Sequence, residues 1–239
     1  MEGRYCRHYS SCLQRDMEYK IFGDSGRPLL VFPPQSGRFY DFEDNGMIAA
    51  VDGFIRDGRI QVFCADSNDE KSFSLQNADP RRRIEAQEAY YRYIVEELIP
   101  VLPPVPLAVG CSMGAYHAFN MALRRPELFS GAIGLSGAYD LRLFFGDYMD
   151  DLVYANSPLD YLRNMPVDHP YVSLYQKREW ILCCGRGDWE HPMQEDGGRM
   201  QACFNRLGVP AWVDFWGSDV SHDWSWWRKQ LPYYLSFLC

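Results

Sequence analysis

Residues 107–114 read LAVGCSMG, a short apolar run that ends in the pattern G-x-S-x-G. A helix-compatible segment, 115–124, follows directly. This order is typical of a nucleophile elbow, in which a strand turns sharply into a helix with a serine at the apex. Small residues two positions before and after Ser112 let the two backbones pass closely. The stretch therefore predicts a Ser112 hydroxyl that is exposed above a sheet.

The predicted elbow indicates acyl transfer through a covalent serine ester. The backbone N–H of Met113 begins the helix, where unpaired donors and the positive end of the helix dipole favour a developing oxyanion. The alternative is a glycine-rich turn of a doubly wound sheet that has no chemistry of its own. A catalytic interpretation therefore requires a base, an acid and a second oxyanion donor elsewhere in the chain.

Strand and helix signals alternate along the 239 residues, and no linker rich in proline, glycine or serine divides them. Predicted strands lie, in chain order, at 5–10, 17–22, 29–32, 60–64, from 107 up to the elbow, 131–135, 180–184 and 211–216. Helical patterns separate most of them, including a long one that begins at Asp79-Pro80 and a final one that contains Pro232. The alternation predicts a single α/β domain over 1–239, with a mainly parallel sheet, helices on both faces and ligands at the carboxyl ends of the strands.

One long stretch, 139–178, is aromatic and irregular. Long connections of this kind are either functional lids or packed excursions from the core. We expect either a cap over the site or an excursion that only packs on the domain.

The base that a serine nucleophile needs is a histidine, and the chain has five: His8, His117, His169, His191 and His222. In α/β-hydrolases the order along the chain is serine, acid, histidine, each on a loop after a strand. Only His222 lies in the last loop before the C-terminal helix. The order therefore predicts His222 as the base.

The acid is expected in the loop after the 180–184 strand, which reads GRGDWE from Gly185 to Glu190. Asp188 has the usual offset from the end of the strand and is the preferred candidate. Glu190 is the alternative acid, and Asp196 is a more distant one.

A second oxyanion donor normally comes from the loop after the third strand, which here reads Pro33-Pro34-Gln35-Ser36-Gly37. Proline has no N–H, so the first two residues are excluded. We expect Gln35 to be the donor, with Ser36 as the alternative.

The composition of the chain limits the classes of molecule that we expect it to bind. The net charge of −8 argues against a nucleic-acid partner, and the one basic cluster, Arg81-Arg82-Arg83, is expected on a solvated helix face. No apolar stretch approaches the length of about 18 residues that a membrane span needs, and no secretory leader is recognised, so we expect a cytoplasmic protein without a membrane partner. The eight cysteines are expected to be reduced thiols. No metal or other cofactor is implied, and self-association as a homo-oligomer stays open.

Three blocks of sequence support a family resemblance: GCSMGAYHA at 110–118, RPELF at 125–129 leading into LSG at 135–137, and SHDWSWWR at 221–228. With these blocks the chain resembles the putative esterase family of the α/β-hydrolase superfamily, which includes esterase D, enterochelin esterases, and feruloyl and acetyl xylan esterases. The resemblance implies an α/β-hydrolase fold, a Ser112 nucleophile, a His222 base and an acid near Asp188. The chain departs from the family pattern at Ser221, where a glycine is frequent.

The resulting hypothesis is a serine carboxylic-ester hydrolase that needs no cofactor and acts on short-chain or aryl acyl esters of small molecules or carbohydrates. Aromatic residues in the predicted site loops favour such acyl groups. Two alternatives remain: an acyltransferase with the same triad, and a non-catalytic binding protein on a hydrolase fold.

Overall fold

The computed structural model describes residues 2–239, and a single mixed sheet of eight strands runs through it. The strands are β1 (Arg4–Ser10), β2 (Arg15–Phe22), β3 (Arg27–Phe32), β4 (Ile60–Ala65), β5 (Leu107–Cys111), β6 (Gly131–Leu135), β7 (Glu179–Cys184) and β8 (Trp212–Phe215). Their order across the sheet is β1-β2-β4-β3-β5-β6-β7-β8. β1, β2 and β4 pair antiparallel, and every other neighbouring pair is parallel. The predicted α/β fold with a mainly parallel sheet is confirmed.

Helices fill the connections between the strands. They are α1 (Asp41–Asp44), α2 (Met47–Ala50), α3 (Asp52–Arg56), α4 (Pro80–Arg92), α5 (Met113–Arg124), α6 (Arg142–Phe145), α7 (Asp151–Ala155), α8 (Pro158–Asn164), α9 (Pro170–Tyr175), α10 (His191–Leu207) and α11 (Trp224–Leu238). Helix α4 begins as the sequence predicts, because the Asp79 carboxylate caps it by accepting the Arg82 N–H at 3.1 Å. Past α4 the chain continues as a π-helix, Tyr93–Leu98. Across residues 2–239, none of the helices combines the length and the apolar character needed to cross a membrane.

Each face of the sheet has its own core. Helices α4, α5, α8 and α10 cover one face, and α2, α3 and α11 cover the other. Alternate residues of β5 belong to opposite cores. Ala108 belongs to the first core, whereas Leu107 and Val109 belong to the second. Burial on both faces explains why this strand reads as a continuous apolar run.

The stretch 139–178 forms the short helices α6 to α9. Phe145 and Val153 pack against Met113 and Tyr116 at the start of α5, whereas α8 and α9 contribute to the main core. Arg83 connects this stretch to α4, since its buried guanidinium donates to the carbonyl oxygen of Phe144 at 2.9 Å. The expectation that all three arginines of that cluster are solvated was wrong for Arg83, because its side chain is enclosed by backbone acceptors and the Phe145 ring.

Strands β3 to β8 run in the same direction, so their carboxyl ends share one edge of the sheet. The loops that follow these strands meet there, as in other open α/β sheets. All the residues that the sequence singles out for chemistry lie in those loops or at the start of α5 and α10.

Candidate active site

Ser112 occupies the sharp turn between β5 and α5, with φ 56° and ψ −124°. Non-glycine residues rarely adopt a positive φ, and the surrounding backbone holds this one in place. The Ser112 N–H donates to the Leu135 carbonyl oxygen at 2.8 Å. A Cβ atom at Gly110 would overlap the Gly114 backbone, and one at Gly114 would overlap the Phe32 carbonyl oxygen. The two glycines are therefore required by close backbone contacts, as the elbow motif predicts.

His222 faces the Ser112 hydroxyl. Its Nε2 lies 2.9 Å from Ser112 Oγ, which is hydrogen-bond distance between a nucleophile and a base. The histidine lies in the loop between β8 and α11, where its backbone N–H donates to the Asp188 carbonyl oxygen at 3.0 Å. The Trp227 ring packs edge-on against the imidazole, with centroids 5.0 Å apart. These contacts fix both the position and the plane of the ring.

Glu190 lies on the other side of the imidazole. Its Oε2 is 3.7 Å from His222 Nδ1, and the side chain of Glu190 is buried. Within residues 2–239 neither of these two atoms has a hydrogen-bond partner. Buried polar atoms are nearly always paired, and catalytic hydrogen bonds are often long in unliganded sites. A small shift of the carboxylate towards the ring would satisfy both atoms at once.

Asp188, the acid that the sequence favours, does not occupy this position. Its side chain is exposed, and it contributes only its carbonyl oxygen to His222. The backbone turns at Trp189, which has φ 66°, and this turn brings Glu190 back beneath the histidine. Of the two candidate acids, Glu190 is therefore the one whose carboxylate lies beside the imidazole.

Asp196 is engaged elsewhere. Its Oδ2 accepts the N–H groups of Tyr139 and Asp140 at 2.6 and 2.9 Å. Burial raises the pKa of this carboxyl. Asp196 therefore stabilises the chain turn after β6 rather than the imidazole.

The loop after β3 approaches the start of α5, because Gly114 packs directly on the carbonyl oxygens of Phe32 and Pro33. Within this loop the N–H of Gly37 donates to the Pro34 carbonyl oxygen at 2.8 Å and closes a tight turn. The N–H of Ser36 donates to Asp69 Oδ2 at 3.3 Å, so the alternative oxyanion donor is already occupied.

Two of the candidate backbone N–H groups are therefore free to bind an oxyanion. Gln35 donates its N–H to no acceptor within residues 2–239. Met113 is the first residue of α5, where an N–H has no partner inside the helix. The sequence predicts these same two N–H groups as the oxyanion donors, and their role stays a prediction.

Sequence reasoning missed Ser136, a buried residue directly after β6. Its hydroxyl donates to Glu190 Oε1 at 2.6 Å and accepts a hydrogen bond from Trp227 Nε1 at 3.0 Å. Ser136 thus connects the carboxylate to the tryptophan that packs on His222. Its position at the carboxyl end of a strand was the available signal, whereas Trp227 was hidden in the apolar stripe of the last helix.

Other nucleophiles and ligand sets do not compete with this arrangement. Cys111 is fully buried, and burial raises the pKa of its thiol well above the ordinary value. All eight cysteines are free thiols. In the part of the chain that the structure describes, no group of three or more His, Cys, Asp or Glu side chains is placed to hold a metal ion.

The sheet order, the elbow after β5 and a histidine against the elbow serine define a protein of the α/β-hydrolase class. Its sequence matches the family described as "Putative esterase" over residues 10–238. The chain belongs to this family and is a carboxylic-ester hydrolase. No curated protein matches it significantly.

Solved structures of the same fold cover nearly the whole chain. A ferulic acid esterase is similar with a TM-score of 0.76 at 16% identity, over 99% of this chain and 96% of the other. FphF of Staphylococcus aureus, described as a fluorophosphonate-binding serine hydrolase, has a TM-score of 0.70 at 14% identity, over 99% and 98%. An S-formylglutathione hydrolase from Agrobacterium tumefaciens has a TM-score of 0.68 at 13% identity, over 99% and 97%.

Proposed function

We propose that this esterase works through a Ser112-His222-Glu190 triad and a covalent acyl-enzyme, and that it hydrolyses short-chain or aryl acyl esters. The observation that supports the triad most directly is the 2.9 Å contact between His222 Nε2 and Ser112 Oγ on a strained elbow. A serine hydroxyl is a weak nucleophile unless an adjacent base takes its proton. The buried carboxylate of Glu190 beside Nδ1 supplies the third member.

In the first half of the reaction, His222 accepts the Ser112 proton while Oγ attacks the ester carbonyl carbon. The negative charge that develops on the carbonyl oxygen is stabilised by the N–H groups of Met113 and Gln35. The imidazolium then gives its proton to the departing alcohol, and the acyl group stays on Ser112. Glu190 holds the imidazole in the tautomer that leaves Nε2 free and stabilises the imidazolium.

In the second half, water replaces the alcohol. His222 takes a proton from the water as its oxygen attacks the acyl carbon, and the same two N–H groups stabilise the second tetrahedral intermediate. Collapse of this intermediate returns the proton to Ser112 Oγ and releases a carboxylic acid. An alcohol in place of water would give acyl transfer, so products formed with and without an added alcohol acceptor separate the two reactions.

A fluorophosphonate probe tests the assignment of the nucleophile. We expect the wild-type protein to gain one covalent adduct by intact mass, and peptide mapping to place it on Ser112. Such probes react with serines that a base activates. Ser136 is an internal control, because its hydroxyl is buried and bonded to Glu190 and Trp227. A folded wild-type protein without an adduct would instead favour a binding protein on the same fold.

The substrate class is inferred from the rim of the carboxyl edge. Exposed apolar side chains follow four of the parallel strands: Tyr40 after β3, Leu75 after β4, Leu143 and Met149 after β6, and Trp189 after β7. Phe42, two residues after Tyr40, is buried and packs on Trp224 instead. Exposed apolar groups in the connections at the same edge of the sheet as the site support an acyl or aryl group as ligand.

Trp189 stands out on this rim, since its side chain is 85% exposed beside Glu190. We expect Trp189→Ala to lower kcat/KM for a hydroxycinnamoyl ester by about tenfold, which is the loss of about 1.4 kcal/mol of aromatic contact. The acetyl ester of the same alcohol should change by less than about threefold, because an acetyl group is too small to reach the indole. Kinetics with the two esters measure the difference.

The matched control is Phe237→Ala, which removes an aromatic ring that is 62% exposed on α11, away from the carboxyl edge. We expect the kcat/KM of this variant for each of the two esters to equal that of the wild type. An equal loss on both esters in Trp189→Ala would show that the residue shapes the loop of Glu190 and does not recognise the acyl group.

A further inference from the structure

A second histidine–carboxylate pair lies next to the loop after β3, residues 33–37, which is called the oxyanion loop below because it carries Gln35. His117 Nε2 is 3.0 Å from Asp69 Oδ1, and both side chains are completely buried. Aromatic rings surround the imidazole: Phe32, Phe73, Tyr90 and Tyr116. Burying an ionisable pair costs free energy unless the two groups are well hydrogen-bonded. A functional role would explain why this pair is present. The mechanism proposed above uses neither residue.

Asp69 connects this pair to the loop after β3. Its Oδ2 accepts the N–H of Ser36 at 3.3 Å, while its backbone carbonyl accepts the N–H groups of Ser72 and Ser74 at 3.0 and 2.8 Å. Ser36 has φ 58°, in the left-handed region that serine rarely adopts. The hydrogen bond to Asp69 therefore holds the turn in a conformation that the chain would otherwise leave. With the Ser36 N–H so occupied, the preceding N–H, that of Gln35, is the free donor of this turn.

His117 connects the same carboxylate to helix α5. The helix begins with Met113, the other oxyanion donor, and His117 lies one turn further along it. The two donors thus belong to different elements, the loop after β3 and α5. Asp69 contacts both elements, one through each carboxylate oxygen.

We propose that Asp69 is a positioning residue for the oxyanion hole, which sets the Gln35 N–H relative to the Met113 N–H by binding Ser36 with one oxygen and His117 with the other. This inference rests on the proposed function. The proposed role depends on the hydrogen-bonding geometry of the side chain at residue 69 and does not depend on the charge of that side chain. An asparagine can replace the aspartate, because its Oδ1 accepts from Ser36 and its Nδ2 donates to neutral His117.

The first measurement uses the wild-type protein alone. Residue-resolved amide hydrogen exchange by NMR should show a protected Ser36 amide and a rapidly exchanging Gln35 amide. This result does not depend on whether any variant folds. A Ser36 amide that exchanges as fast as that of Gln35 would overturn the proposal.

The second measurement compares variants. We expect Asp69→Ala to lower both kcat and the rate constant of fluorophosphonate labelling by about 10²-fold, since a displaced oxyanion donor acts on the transition state. KM should change by less than about threefold, because the ground-state ester gains little from that donor. Asp69→Asn should recover activity to within about tenfold of the wild type, because both hydrogen bonds can re-form.

Asn120→Ala is the matched control for loss of a buried hydrogen bond on the same helix. Asn120 is completely buried, and its Nδ2 donates to Asn156 Oδ1 at 2.9 Å, away from the oxyanion loop. Its labelling rate should stay within about threefold of the wild type even if it unfolds at a lower temperature. Equal rate constants of labelling in Asp69→Ala and Asn120→Ala would overturn the role of Asp69 but leave the proposed function intact. A wild type that is not labelled would overturn the proposed function, and the inference with it.

Discussion

Replacing Ser112 by alanine is expected to reduce kcat for ester hydrolysis by at least about 10⁴-fold, the range in which loss of a triad nucleophile falls. The variant lacks the oxygen that attacks the ester, so no acyl-enzyme forms. Any remaining rate comes from water acting in the intact oxyanion hole and binding surface. Initial rates with a chromogenic ester, measured over the full range of substrate concentration, give kcat and KM for both proteins.

The Ser112→Ala protein should fold like the wild type. Alanine and serine meet the same restriction at φ 56°, and the substitution removes the hydrogen bond between the Ser112 hydroxyl and His222 Nε2. We expect the free energy of unfolding to change by less than about 1 kcal/mol, within the range of ordinary substitutions. Wild-type turnover in this variant would rule out Ser112 as the nucleophile, and circular dichroism would exclude misfolding as the cause of a reduced rate.

Much of the fold and part of the site follow from local sequence. Gly110, Ser112 and Gly114 can be recognised because the elbow brings the backbones so close at the two glycines that neither position has room for a Cβ. His222 could be predicted from chain order, since the last loop before the final helix lies at the same edge of the sheet as the elbow. These features depend on the spacing of residues within one element or on the direction of parallel strands.

The choice between Asp188 and Glu190 could not be predicted in the same way. It depends on the path of the loop after β7, which is joined to the loop after β8 by backbone hydrogen bonds from Arg186 to Gly217 and from Gly187 to Val220. These bonds hold the loop so that the left-handed turn at Trp189 directs the second carboxylate inwards. Two carboxylates only two positions apart in the chain therefore have opposite environments, one in solvent and one in the core. No local sequence pattern distinguishes them.

Asp69 and His117 illustrate a second limit of sequence reasoning. Each residue read alone is an ordinary polar group, Asp69 at the start of a short 3₁₀ helix and His117 on α5. They become a pair only when β4 and β5 lie on either side of β3, which brings the loop after β4 over the start of α5. Contacts between distant parts of the chain of this kind require the assembled sheet.

The two candidate acids can be separated by a matched pair of substitutions. Glu190→Gln should lower kcat by about 10² to 10⁴-fold, as when an aspartate of a triad becomes neutral. A neutral amide cannot stabilise the imidazolium, and its NH₂ group facing Nδ1 would favour the tautomer whose Nε2 carries a proton. That tautomer cannot accept the proton of Ser112. The glutamine still accepts the Ser136 hydroxyl, so the fold should be retained.

Asp188→Asn is the control, because it makes the same chemical change two residues away on an exposed side chain. We expect its kcat to stay within about threefold of the wild type, as for a surface substitution that removes no buried contact. The backbone bond from His222 to the residue 188 carbonyl is preserved in this variant. The reverse outcome, a large loss in Asp188→Asn with near-normal turnover in Glu190→Gln, would mean that the loop after β7 rearranges when substrate binds. In that case the 3.7 Å approach of Glu190 to His222 would describe the resting enzyme and not the catalytic one.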